Sequence, residues 1–157
     1  MISAEAKYAL RALILLAGVP DGQALLTQEI AERQNIPRKF LERILLNLKR
    51  AGLVQSRRGA RGGYALFKPA SEISFAQVLR LIDGPIAPLP CLSLIAYRKC
   101  ADCTDETNCE IRRVFGRVAE ASRDVLEKAT IAEAFAETSV LQLLDQASPG
   151  PRVRTLR

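Results

Sequence analysis

The stretch "PRKFLERILLNLKRAGLVQSRRGARGGYALF", residues 37–67, narrows the possible folds more than any other part of this chain. At about 100° per residue, its first half puts Phe40, Leu41, Ile44, Leu45 and Leu48 on one helical arc. Arg38, Lys39, Glu42, Arg43, Lys49 and Arg50 fall on the opposite arc, with Leu46 intruding. Pro37 suits the first turn, where a missing N–H costs nothing. Lys49 and Arg50 sit in the last turn, where the helix dipole favours cations, and Gly52 closes it. "LVQS" and "YALF" predict two short strands joined by "RRGARGG", a flexible tip with three arginines and three glycines. Either feature alone is an ordinary solvated surface. Joined directly through "AGLVQS", they point to a polyanion.

What precedes this stretch fits it. Residues 4–17 carry Ala6, Leu10, Leu13, Ile14 and Ala17 at helical spacing, and "PDG" at 20–22 signals a turn. A second helix is expected from Thr27, with Glu29 and Glu32 near its positive end and Ile30 and Ala31 inward, until "NIP" at 35–37 breaks it. Helix, turn, helix, hairpin is the order of a winged helix-turn-helix, so the expected fold is mainly α with a small β-hairpin. An α-helix fits the major groove of B-DNA, where base edges differ in donors and acceptors. Arginine pairs bidentately with guanine and with any phosphate, and a hairpin tip can enter the narrower minor groove. Double-stranded DNA is therefore the expected partner. The candidate contacts are Thr27, Arg38, Lys39, Glu42, Arg43, Arg57, Arg58 and Arg61. A net charge of +6 and a pI near 9.5 agree with this.

Enzymatic chemistry is poorly supplied. The chain has no histidine, which removes Ser–His–Asp and Cys–His nucleophilic catalysis. Neither GxxxxGK[ST] nor GxGxxG occurs, and "RRGARGGYAL" has the wrong spacing for either. No apolar run approaches the ~20 residues needed to cross a bilayer. The N-terminal segment reads as an amphipathic helix interrupted by Lys7 and Arg11, not as a signal peptide. A cytoplasmic, non-enzymatic protein is expected.

Beyond the hairpin, "SFAQVLRLIDGP" predicts a helix capped by Ser74 and stopped by Gly84 and Pro85, after which "PIAPLP" is stiff and extended. From Glu110 the pattern is helical again. Ile111, Val118 and Val125 repeat at seven residues, flanked by Val114, Phe115, Ala121 and Ser122, a stripe that usually packs on another helix. Thr130 and Thr138 are expected to cap two short helices. The resulting division is a DNA-binding domain at 1–84, a cysteine-rich loop at 85–109, a long helix at 110–129, short helices at 130–145 and a disordered basic tail at 146–157.

All four cysteines, Cys91, Cys100, Cys103 and Cys109, lie within nineteen residues. In a reducing compartment such clustering suits metal binding or redox work better than structural disulfides. Four thiolates suffice for a [2Fe–2S] or [4Fe–4S] cluster. They also make a closed tetrahedral zinc set, although one C-x₂-C is weaker than a pair. Alternatively Cys100 and Cys103 form a reversible disulfide, with Arg98 and Lys99 lowering the thiol pKa. Four unliganded thiols in a mobile loop are the plainest reading.

The segments "KYALRALILLA", "IAERQNIPRKFLERILLNLKRAGLVQSRRGARGGYAL" and "FAQVLRLIDGP", followed by a cysteine loop and a long helix, resemble the Rrf-type winged-helix regulators of bacteria. The resemblance covers roughly residues 1–145. It implies a homodimer held by the long helix through Ile111, Val114, Phe115, Val118, Ala121 and Val125, binding a pseudo-palindromic operator to control transcription. It also implies base-reading by Lys39, Glu42 and Arg43, wing contact by Arg58, and often an iron–sulfur cluster in the loop that senses iron–sulfur, redox or nitric-oxide status. Two departures stand out. Cys103 and Cys109 keep the family's five intervening residues, but the position a further five intervening residues back is Tyr97, leaving Cys91 and Cys100 to supply ligands. The positions where relatives complete the site with His or Asp resemble Arg112 and Lys7, which cannot ligate. The alternative is a zinc-stabilised or thiol-switch nucleic-acid-binding module.

Overall fold

A computed structural model of the chain describes residues 2–59 and 62–137. Arg61, the helix expected from Thr138 and the tail at 146–157 lie outside the described residues. The order of elements is α1 (Ala4–Ala17), α2 (Thr27–Gln34), α3 (Arg38–Arg50), β1 (Val54–Arg57), β2 (Gly63–Leu66), α4 (Phe75–Ile82) and α5 (Glu110–Lys128). Single 3₁₀ turns occupy Ala70–Glu72 and Pro90–Leu92, and residues 131–137 are helical (α6). This is a winged helix-turn-helix followed by a loop and a long helix.

Local chemistry accounts for the boundaries. Ser3 caps α1 by accepting the Ala6 N–H at 3.0 Å, and Ser74 caps α4 by accepting that of Gln77 at 3.1 Å. Glu29 accepts the Leu26 N–H at 2.7 Å at the start of α2. The tight turn into α3 needs a left-handed residue, and Asn35 supplies it at φ 48°, a conformation that Asn tolerates. The Ile36 N–H then donates back to the Ala31 carbonyl at 2.9 Å. At the far end of α3, Gly52 turns left-handed at φ +69°. The Leu53 N–H closes the turn on the Leu48 carbonyl at 2.9 Å.

The core is one cluster: Ala9, Leu13 and Leu16 of α1, Ile30 of α2, Leu41, Ile44, Leu45 and Leu48 of α3, Leu53, Val54, Ile73 and Val78, with Ile131 entering from α6. Phe40, expected on the inward arc of α3, is instead 49% exposed. It sits at the start of the helix, beyond the rim of the cluster, and the Arg43 guanidinium lies 5.3 Å from its ring centroid.

β1 and β2 pair antiparallel, with Val54 opposite Leu66 and Arg57 opposite Gly63. The hairpin is anchored by a bridge to the segment before α2. Leu25 and Tyr64 exchange N–H···O bonds at 2.9 and 2.8 Å. Gly63 makes this approach possible: at φ +135°, a Cβ there would lie 2.2 Å from the Leu25 carbonyl oxygen. At the other end, α5 returns to the winged helix. The Phe75 N–H donates to Ala129 O and the Ile131 N–H to Ile73 O, both at 2.9 Å. Thr130 and Glu133 cap α6 reciprocally, at 3.2 and 3.0 Å.

Candidate functional site

The outer face of α3 carries Arg38, Lys39, Glu42, Arg43, Lys49 and Arg50, all exposed. Its charges are ordered. Arg38 Nε donates to Glu42 Oε1 at 2.9 Å, one turn on. Arg43 Nη2 donates to Glu5 Oε2 of α1 at 2.7 Å, a partner that the helical pattern alone did not reveal. Lys49 Nζ donates to Ser56 Oγ at 2.6 Å, tying the end of α3 to the first strand of the hairpin. Arg57 donates to the carbonyl of Gly22 and is half-buried, whereas Arg58 beyond it is exposed. Thr27 is half-buried at the start of α2. α3 and the base of the hairpin therefore form one cationic surface, with Arg58 at its described edge.

α5 has a second solvent-facing surface of opposite character. Ile111, Val114, Phe115, Val118 and Val125 are 41% to 66% exposed, and Ala121 is exposed among them. Only Ala119 on this helix is fully buried. Five large apolar side chains on one exposed face exceed what a solvated helix normally carries.

The four cysteines come from three pieces of chain. Cys91 is buried in the 3₁₀ turn, Cys100 and Cys103 lie in the loop, and Cys109 stands at the start of α5. The turn is docked on α5: Arg123 Nη1 donates to Leu92 O at 3.3 Å. Within the loop, the Cys103 N–H donates to Cys100 O at 3.2 Å. Asp105 accepts from the Thr107 N–H and hydroxyl at 2.8 and 2.6 Å and from Asn108 Nδ2 at 2.6 Å. Those bonds hold its carboxyl below the ordinary range and bend the chain so that Cys109 follows directly. The Tyr97 hydroxyl donates to Glu106 Oε1 at 2.6 Å, which raises its own pKa.

All four thiols line one cavity of about 460 Å³, with Asp102, Asp105, Glu110 and Arg112 also in its wall. None is in a disulfide. The pKa of Cys100 is raised, first by a hydrogen bond with Cys91, then by burial and neighbouring thiols. That of Cys103 is raised by burial and by Cys109, with Lys99 opposing weakly. The expectation that Arg98 and Lys99 lower the thiol pKa is thus overturned, because desolvation and sulfur neighbours outweigh solvated cations. Cys100 thus has a thiol neighbour in Cys91 as well as in Cys103. Among the described residues, no three His, Cys, Asp or Glu side chains gather to the spacing of a single-ion site. No helix among them is long and apolar enough to cross a membrane.

Residues 2–137 match the model of the Rrf2 family, described as "Iron-dependent Transcriptional regulator". An "HTH-type transcriptional regulator rrf2-like" protein of Rhodobacter capsulatus is 47% identical over 139 residues, covering 87% of this chain and 93% of that one. The HTH-type transcriptional regulator CymR of Bacillus subtilis is 31% identical over 130 residues, covering 83% and 86%. The solved structure of B. subtilis CymR, "the Global Cysteine Regulator", superposes with a TM-score of 0.73 at 28% identity, covering 87% of this chain and 97% of that one. The structure of T. potens IscR has the same fold, with a TM-score of 0.68 at 24% identity over 96% and 93% of the two chains.

Proposed function

Because the chain belongs to the Rrf2 family of DNA-binding transcriptional regulators, which are not enzymes, we propose that it acts as a homodimer whose four-cysteine loop senses through an iron–sulfur cluster. The observation that carries this reading is the one cavity that all four cysteines line. The donor set fits the group: four thiolates are the usual complement of a cluster, and no histidine competes for an iron. Bound in this way, the cluster supplies one-electron redox chemistry and reactivity toward oxygen or nitric oxide.

The protein's own parts then have separate tasks. Cys91 holds one side of the cavity from a turn docked on α5, and Cys109 holds the other from the first turn of that helix. Lys39, Glu42 and Arg43 read bases in the major groove, while Arg38, Arg57 and Arg58 meet the backbone or the minor groove. The exposed stripe of α5 seals against its copy in a second protomer, which makes the operator pseudo-palindromic. Because Cys109 begins α5, a cluster held there would be joined directly to the helix that carries the dimer stripe and, through it, to the spacing of the two reading heads.

Anaerobic purification followed by iron, sulfide and zinc assays tests the reading. Brown protein with matched iron and sulfide, binding a selected palindromic site, is the expected result. Colourless protein with one tightly held zinc per chain, or metal-free protein whose DNA affinity follows thiol oxidation, would replace it.

A further inference from the structure

The cavity wall includes one group that the cluster reading leaves without a task. Arg112 lies one turn into α5 and lines the cavity beside all four cysteines. Its backbone N–H already donates to Cys109 Sγ at 3.4 Å. Its side-chain Nε is buried with no hydrogen-bond partner, and among the described residues it is the one such buried side-chain nitrogen or oxygen. The arginines elsewhere show what is missing: Arg38, Arg43, Arg57, Arg80 and Arg123 all donate to carboxylates or carbonyls.

A guanidinium cannot shed its proton at any accessible pH, so an unsatisfied buried donor there cannot be relieved by ionisation. An acceptor brought in from outside the chain would satisfy it. The cavity is already acidic, with Asp102, Asp105 and Glu110 in its wall, and four thiolates around an iron–sulfur core carry further net negative charge. A fixed cation with a free N–H is what such a site lacks elsewhere.

We propose that Arg112 is the charge partner of the bound cluster, donating its Nε–H to a ligand sulfur or bridging sulfide and setting the reduction potential. This rests on the iron–sulfur reading above. Arg112 is a positioning and tuning residue and not a ligand. Hydrogen bonds to sulfur and added positive charge both favour the reduced state, because reduction adds an electron to an anionic site.

Full-length wild type, Arg112→Gln and Arg112→Lys, loaded anaerobically with iron and sulfide, are to be compared by midpoint potential, by iron loss to a chelator, and by thermal unfolding without metal. In Arg112→Gln the potential should move negative and iron loss should speed up by about tenfold or more, the usual scale for a lost outer partner. Arg112→Lys should recover most of the potential. Metal-free Arg112→Gln should be at least as stable as metal-free wild type, since it loses a buried donor without a partner; a clear loss of stability would overturn the tuning role in favour of a structural one. Equal potentials and equal iron loss in all three loaded proteins would overturn Arg112 alone. Wild type that takes up no iron and sulfide would overturn the cluster reading and this inference together.

Discussion

Arg43, on the outer face of α3, is held by Glu5 of α1 at 2.7 Å while its guanidinium stacks over Phe40. The residue proposed to read a base is therefore paired with the protein's own acid in this structure. Both partners are partly solvated, and such exposed pairs contribute no more than about 1 kcal/mol. A guanine edge can outcompete one.

Arg43→Ala should cost about 1–3 kcal/mol at the cognate operator and relax specificity at one base position. Glu5→Gln should tighten binding by no more than about 1 kcal/mol, since it releases Arg43 without adding a contact. Arg58→Ala should weaken binding more uniformly across sequences, and wild-type affinity should fall steeply with salt. Fluorescence anisotropy on the selected operator measures all of these. Unaltered affinity in both arginine variants would reject the reading surface.

Val118 stands at the middle of the exposed stripe on α5. Val118→Glu should put unpaired charge into the proposed dimer seam, at a cost of several kcal/mol. Sedimentation should show monomers, with operator binding lost in parallel. An intact dimer with normal binding would mean that another face is used.

Cys109 caps α5 and is a proposed cluster ligand, and substitution can separate the two. Its sulfur accepts the Arg112 N–H and so caps α5; a serine keeps an acceptor there, whereas alanine does not. Cys109→Ala and Cys109→Ser should both lose visible absorption, but only the alanine variant should also lose about 1 kcal/mol of stability. Cys103→Ala should bleach as well. The winged-helix fold should survive these changes, because its core residues precede the loop or come from Ile131. Retained colour in either Cys109 variant would remove that residue from the ligand set.

The Arg80–Glu127 pair joins α4 to α5, and the hydrogen bond from Arg80 holds the Glu127 carboxyl below its ordinary value of 4.5. A depressed carboxylate pKa adds stability that is complete above the unfolded value and disappears as pH falls through the folded one. Glu127→Gln should therefore be less stable than wild type at neutral pH, by under about 1 kcal/mol because both groups are partly exposed. The gap should persist down to about pH 4.5 and close below it. A gap that widened in acid would contradict the pairing.

The helices were legible because their signals are local. Ser74 caps where an N-cap serine should, and Leu41, Ile44, Leu45 and Leu48 keep one helical face inward. Phe40 was misread because a helical wheel has no knowledge of where the core ends. Glu5 as the partner of Arg43 was invisible for a related reason: thirty-eight residues separate them, and only the packing of α1 on α3 brings them together. In the loop, spacing alone could say that four thiols were near in sequence. It could not say that Cys91 would hydrogen-bond with Cys100, nor that the Nε of Arg112 would be buried beside them, since both depend on how the loop folds back on α5.

The backbone bonds of Phe75 and Ile131 fasten the C-terminal end of α5 to the winged helix, while its opposite end begins at Cys109. Nineteen residues of helix make an arm about 28 Å long. With one end pinned, a pivot of only about 4° at the anchor corresponds to roughly 2 Å of travel at the cysteine end of such an arm. Seen from the other end, a small displacement around the thiols corresponds at the Phe75 and Ile131 anchor to a change of angle rather than of distance.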